Sequence, residues 1–591
     1  MAVPRPDSSR RRPPNEAWSP PAEMPEGWDM STAPGWGMDG KELHGMTGKG
    51  GGIPVDSWCV SRENLIFLRA EIKKAIAKGE IKPTAKDNFG VADHKFGPNM
   101  YTCCDQYFQP LTKKAGSMSW ALMRHPEGLK CDVFITHCWI EGIFEFIDKA
   151  VNSWPAGKKG AYVCILSNPQ NLDIAALIEV PRESPFAKCL DSATHMLVVP
   201  NRSTSIYSRS WCVYEAWLAS TMGRIIVTAT FPIWREMLPR VGLQLLCLAI
   251  ALIACMVAPL DCESDSLLFP LFVGVLTKLA VIYKGPDRWW LPKYPLLMAG
   301  NLVGVWQSAL VMVQVARRQG PCKSNQLPPW QERASASLAV TFMVYFLFSE
   351  VDRVRLMQAD EESESLRRGF TTVQNAECTS PVDSLNIKKE VQQEFFEVDE
   401  AIVVLMSAGM STVALRAVHS YGADTTSAGR ILYAKMWFSF GMFLTLNLIF
   451  LSLGGQSTGV LVGWSIFSSA YLATYVAWYF YALPDQRAFA VSVTAKINLF
   501  MPILLVLLTA QINGDEGIIG ETSDKLPAIF GILMAGSNVI TLLACHLGMV
   551  SFARIPLCGP WLASFLGPST NIRCMCKRRK KRDSLETAIS P

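Results

Sequence analysis

From Leu238 to Phe552 the chain is built around apolar runs, several of them long enough to cross a bilayer. About 20 apolar residues cross the hydrocarbon as a helix. In lipid, only helices and closed barrels satisfy their own backbone hydrogen bonds. Runs of this length therefore predict helices. Val241–Leu260 and Leu296–Ala316 fit a span well, Leu267–Tyr283 is shorter and holds Lys278, and Ala334–Phe348 is shorter still. After a polar stretch from Glu350 to Arg430 come Ile431–Leu453, Val460–Leu483, Ile497–Ile512 and Leu526–Phe552. The expectation is an all-α polytopic membrane bundle of about eight helices, with spans 1–4 in 238–350 and spans 5–8 in 431–553. Composition agrees, since 50% of the 591 residues are hydrophobic and the mean hydropathy is +0.19. That is too apolar for an ordinary soluble chain of this length.

The charges between spans give an orientation. Lys284, Arg288 and Lys293, then Arg487 and Lys496, then the run Lys577-Arg578-Arg579-Lys580-Lys581-Arg582 all fall on one side of such a bundle. Lys and Arg accumulate on the cytoplasmic side, so both termini are expected there. The acidic loops Asp261–Asp265 and Asn513–Glu516 face out. Arg317, Arg318, Lys323 and Arg333 break this pattern, so either they snorkel or the Ala334–Phe348 span is wrong. The terminal basic run, in the tail 554–591, reads as anionic-lipid-attracting rather than as a nucleic-acid site. The implied partner is the lipid bilayer. Which membrane this is, the sequence does not say.

Cys262 and Cys322 share the outer side in this map, where a disulfide and two unpaired thiols are both open. Cys574 and Cys576 beside the basic run are palmitoylation candidates or ordinary cytosolic thiols. Residues 1–55, rich in Pro, Gly, Ser and charge, cannot bury enough surface to order themselves and are expected to form a disordered tail without a secretory signal core. Residues 56–129 are a helical and irregular lead-in. Ser61 caps an apolar stripe through Leu65, Leu68, Ile72 and Ile76, and Gly79 ends it. In the loop 351–430, Ile387, Val391, Phe395, Val398, Ile402 and Leu405 predict an amphipathic helix. It either packs on the soluble domain, lies on the bilayer or caps the bundle.

Residues 130–237 alternate strand and helix patterns. Strands are expected at Asp132–Thr136, Ala161–Ser167, His195–Pro200 and Arg224–Thr230. Helices are expected at Ile140–Ser153, Asn171–Ile178 with Pro185–Ser192, and Ser208–Met222. Nearly continuous apolar strands joined by helices imply a parallel sheet covered on both faces. Ligands bind such sheets at the carboxyl ends of the strands, and His137-Cys138-Trp139 and Asn168-Pro169-Gln170 would line that edge.

The opening strand Asp132-Val133-Phe134-Ile135 and the helix start Ser208-Arg209-Ser210-Trp211-Cys212-Val213-Tyr214-Glu215 resemble those of Toll/interleukin-receptor (TIR) domains. The resemblance covers about 100 residues, a size usual for a small domain. It implies an α/β TIR-like, flavodoxin-like parallel sheet, either completed from the lead-in or left four-stranded. It also implies self-association. Some TIR domains cleave NAD, and Glu215 occupies their catalytic position. A carboxylate suits that chemistry because breaking the nicotinamide–ribose bond builds positive charge on the ribose. Trp139 could stack on a flat ring and His137 could line the site. NAD would be a substrate here, and no resident cofactor is implied.

Each residue also has a plainer role open to it. Glu215 can be an exposed or helix-paired acid near a helix start. Trp211 and Cys212 can be core, and His137 a hydrogen-bonded structural residue. There is no phosphate loop, no HExxH, no EF-hand and no metal-ligand spacing. The functional expectation is a membrane-anchored signalling protein with a TIR-like domain, a candidate NAD glycohydrolase. The alternatives are a multi-pass channel or transporter with a regulatory soluble domain, and a non-enzymatic TIR-like membrane scaffold.

Overall fold

The computed structural model describes residues 30–47, 50–257, 293–319, 329–370, 372–378, 380–391, 394–452, 457–514 and 526–568. The chain divides into two compact units, Met1–Phe231 with Arg368–Phe395, and Pro232–Arg367 with Phe396–Pro591.

The first unit is built on the strands β1 (Val60–Ser61), β2 (Val133–Thr136), β3 (Gly160–Val163), β4 (His195–Val198) and β5 (Ile225–Thr228), which lie in the order β1-β3-β2-β4-β5. The β2–β3, β2–β4 and β4–β5 pairs are parallel, with Val133 opposite Ala161 and His195, and His195 opposite Ile225. β1, from the lead-in, adds an antiparallel edge on β3. The four expected strands are present but shorter than the apolar runs. The run Ala161–Ser167 stops at Val163 because the Ser167 hydroxyl accepts from the Val163 N–H at 3.1 Å and turns Cys164–Ser167 into a helical turn.

Both faces of the sheet are covered, as the unbroken apolar strands require. Val133 and Ile135 of β2 pack with Leu65, Leu68 and Ile72 of α1 (Arg62–Ala77) and with Phe146 and Ile147 of α2 (Ile143–Asn152). On the other face an aromatic series runs from Phe134 to Tyr162 (5.3 Å between ring centres), Phe186, Trp211, Tyr214 and Trp217. Phe186 lies on α3 (Pro185–Ser192), and the last three lie on α4 (Ser210–Thr221). α1 begins at Ser61, as its pattern predicts. The Ser61 hydroxyl accepts from the Asn64 N–H, and Asn64 Oδ1 accepts from the Ser61 N–H. Gly79, at φ +71, terminates it.

Of the expected tail, residues 1–29 lie outside the described residues. The part from 30 onward carries short helical turns, and Ala33 is buried in the core. This turn region rests on Gly116, whose φ of +117 suits glycine. The Gly37 N–H donates to the Ala115 carbonyl at 2.8 Å, and the Gly40 N–H donates to the Gly116 carbonyl at 2.9 Å. A Cβ on Gly116 would sit 1.9 Å from the Met38 carbonyl oxygen. Gly116→Ala is therefore expected to free this turn, at a cost of about 2 kcal/mol or more. Hydrogen exchange at Gly37 and Gly40 reads it directly, and unchanged protection there would refute the assignment.

The expected helix over 387–405 is two helices, Pro381–Val391 and Phe395–Ala408. The first belongs to the α/β unit and lies against α4. Arg182 pairs with Glu390 at 3.6 Å and sits over the Trp217 ring at 4.8 Å, and Trp217 Nε1 donates to Glu394 at 2.6 Å.

The second unit is helical. Among the described residues six helices are long and apolar enough to cross a membrane: Glu236–Ala254, Pro295–Arg317, Arg333–Arg367, Tyr433–Ser452, Thr458–Tyr481 and Ile529–Ala553. Helices of this length and composition fit an integral membrane protein. The expected Leu267–Tyr283 span lies outside the described residues, as do Lys278, Cys262, Cys322, Cys574 and Cys576. The expected Ile497–Ile512 span falls in the helix Pro484–Gly514, which is not one of the six.

Ala334–Phe348, short as an apolar run, belongs to a helix that continues to Arg367. Buried Glu350 accepts from Asn301 at 3.0 Å and from Arg353 Nε at 2.9 Å. Asp352 accepts from the Tyr433 and Ala434 N–H groups at 2.9 and 2.8 Å, a carboxylate on a helix start. Asn447 Oδ1 accepts from Trp464 Nε1 and Ser468 Oγ, both at 2.8 Å.

Candidate functional site

The carboxyl edge of the sheet is where β2 and its neighbours stop and the connecting segments turn away. β2 ends in Thr136, and the chain runs on through His137, Cys138 and Trp139. Successive strand residues point to opposite faces. Thr136 points to the α4 face, where its hydroxyl donates to Glu215 Oε2 at 2.5 Å. His137 points the other way, with its ring 4.8 Å from that of Phe146 on α2.

Glu215 is 6% exposed, so it is not the surface acid that its place near a helix start allows. Burial pushes its carboxyl up to about 8, and the Thr136 hydroxyl partly offsets this by favouring the anion. At neutral pH the group is mostly protonated. Cys212, three residues earlier and one helical turn away, donates to the His137 carbonyl at 3.7 Å. Burial raises the Cys212 thiol well above its ordinary value. Trp211 packs in the aromatic series and is half-buried.

His137 and Trp139, both expected at the site, meet at one atom. Trp139 Nε1 donates to Cys164 Sγ at 3.3 Å, and His137 Nε2 lies 3.3 Å from the same sulfur. Cys164 is the first residue after β3. On its other side, His137 Nδ1 is 3.2 Å from Glu141 Oε1, an ion-pair distance without the alignment of a full hydrogen bond. The two edge loops expected at the site do come together. Asn168 is buried and accepts from the Tyr162 hydroxyl at 2.8 Å, while the Gln170 amide donates to the carbonyls of Cys164, Ile165 and Asn168. Trp139 is half-buried, packs against the core and lies 5.3 Å from the Tyr101 ring.

Thr136, Glu141 and Cys164 were not among the expected site residues. Two signals for them are in the sequence: Glu141 follows His137 by four positions, and Cys164 stands where an apolar strand gives out. Among the described residues no group of three or more His, Cys, Asp or Glu side chains is placed to hold a metal ion. No protein-family model, curated protein or solved structure matches this chain.

Proposed function

We propose that the protein is a membrane-anchored signalling protein whose α/β unit is a TIR-like domain that cleaves the nicotinamide–ribose bond of NAD through Glu215. The observation that carries this reading is the Glu215 carboxyl at the carboxyl edge of the sheet, fixed by Thr136 at 2.5 Å and shifted up to about 8. A carboxyl displaced so far from its ordinary range, held at the ligand-binding edge of a parallel sheet, is a functional-site signature. The strand order, with the second parallel strand on one side of the first and the others on the far side, is that of flavodoxin-like sheets.

In the reaction the ionised carboxylate faces the ribose as positive charge develops, and the half-buried Trp139 ring stacks on the leaving ring. The membrane part is a multi-pass anchor with both termini cytoplasmic, and the domain acts by self-association at the bilayer.

The burial of Glu215 favours a second reading, a non-enzymatic TIR-like scaffold in which the acid is core. Nicotinamide release from NAD separates the two. The full-length protein in lipid nanodiscs is compared with Glu215→Ala. The enzymatic reading expects turnover in the wild type and a loss of at least about 100-fold in the variant. Turnover unaffected by the substitution, or absent from folded protein, would move the weight to the scaffold.

A further inference from the structure

We propose that Cys164, His137 and Glu141 form a nucleophile site for acyl transfer, with Cys164 as the attacking thiol, His137 as its base and Glu141 as the residue that positions the imidazole. A nucleophile, a base and an orienting group recognise one another by geometry and not by their order in the chain. Cys164 Sγ stands 3.3 Å from His137 Nε2, and His137 Nδ1 stands 3.2 Å from Glu141 Oε1. The proposed roles call for one tautomer. A proton on Nδ1, facing Glu141, leaves the Nε2 lone pair facing the thiol. Such bonds are often loose without substrate and tighten in the complex.

Three further features suit Cys164 to this role. Trp139 Nε1–H points at the sulfur from 3.3 Å, so a charged sulfur would have two N–H donors. Cys164 is half-buried, whereas Cys59, Cys103, Cys104, Cys131, Cys138, Cys189 and Cys212 of the same unit are buried. Finally, the base and the nucleophile each directly follow one of two neighbouring parallel strands, β2 and β3, whose pairing limits how far apart they can move.

The step balances without a cofactor. His137 Nε2 takes the Sγ proton as sulfur bonds to the carbonyl carbon of an ester or thioester. The bond from that carbon to the leaving heteroatom breaks, and the leaving group takes the proton from Nε2. Water then gives a proton to Nε2, attacks the thioester carbon and releases the acid, and the proton returns to Sγ. The titratable and charged groups near the pair are Glu141 against His137, Tyr162 on β3 beside Cys164, and Cys212 on α4 against the His137 carbonyl, with Glu215, Cys138 and Arg209 beside Cys212. This site does not depend on Glu215 or on the NAD reading.

The test uses the full-length protein in nanodiscs and the probes iodoacetamide and p-nitrophenyl acetate. Alkylation is followed peptide by peptide, with half-buried Cys378 as the internal reference. Near pH 6.5 an ordinary thiol is almost wholly protonated, and Cys164 is expected to react at least about ten-fold faster than Cys378. That advantage should vanish in His137→Gln. It should fall several-fold in Glu141→Gln and be regained in Glu141→Asp. p-Nitrophenyl acetate should release about one p-nitrophenol per protein in a burst that Cys164→Ser removes. A Cys164 rate equal to that of Cys378, or one that His137→Gln leaves unchanged, would overturn the proposal. If His137→Gln does not fold, the wild-type ratio and its persistence down to pH 6 decide alone.

Discussion

Lys149→Met is expected to destabilise the α/β unit by about 3–5 kcal/mol, the range for stripping one partner from a buried ion pair. Lys149 and Glu145 lie one turn apart on α2, 3.0 Å from each other, with both side chains 3% exposed. The Lys149 ammonium also donates to the Pro200 carbonyl at 2.6 Å and sits 4.9 Å from the Phe231 ring. It therefore joins α2 to the segment that leaves β4 at the carboxyl edge. Methionine keeps the stem and removes the charge, leaving the Glu145 carboxylate buried without its cation. The double variant Glu145→Leu, Lys149→Met should recover most of the loss, because removing both charges also removes the cost of burying them. Hydrogen-exchange protection of the β2 and β4 amides reports the change. A single variant within about 0.5 kcal/mol of wild type, the range of ordinary surface substitutions, would mean that the pair is solvated in solution.

The second large effect is a pH dependence. The folded Glu215 carboxyl is raised to about 8, whereas in the unfolded chain it titrates in the ordinary carboxylate range. Between those values the native state holds a proton that the unfolded state has lost, so stability falls as pH rises. The contribution is fully present below the unfolded value and is lost as pH rises through about 8. One proton corresponds to a slope of about 1.4 kcal/mol per pH unit across that window. Glu215→Gln resembles the protonated form, so it should remove this slope and leave the variant more stable than wild type near pH 9. Protection of the α4 amides, corrected for intrinsic exchange rates and measured from pH 5 to pH 9, gives both curves. Parallel curves would show that Glu215 ionises freely in the folded protein.

What could be read locally was legible, and what depends on distant partners was not. The apolar strands gave away the parallel sheet, because a strand covered on both faces has no alternation to hide. Ser61 and Gly79 marked the ends of α1 through capping chemistry confined to a few residues. β1 did not announce itself. It is two residues long, and its pairing with Ala161 and Gly160 is about 100 positions away. Glu145 and Lys149 have the spacing of an ordinary surface pair, and nothing within the helix says that Pro200 and Phe231 will close over them. At the site, His137 and Trp139 could be singled out from their types and places, and Glu215 from the resemblance of its helix start to those of TIR domains. The sulfur that joins the first two, and the hydroxyl that holds the third, come from pairings that only the folded sheet makes.

Nicotinamide release from NAD by the full-length protein, followed from pH 6 to pH 9, tests the central claim most directly. If ionised Glu215 carries the reaction, the rate should rise with pH through about 8, and Glu215→Gln should abolish it across the whole range. A flat profile, or turnover that survives in the glutamine variant, would contradict a catalytic role for this carboxylate.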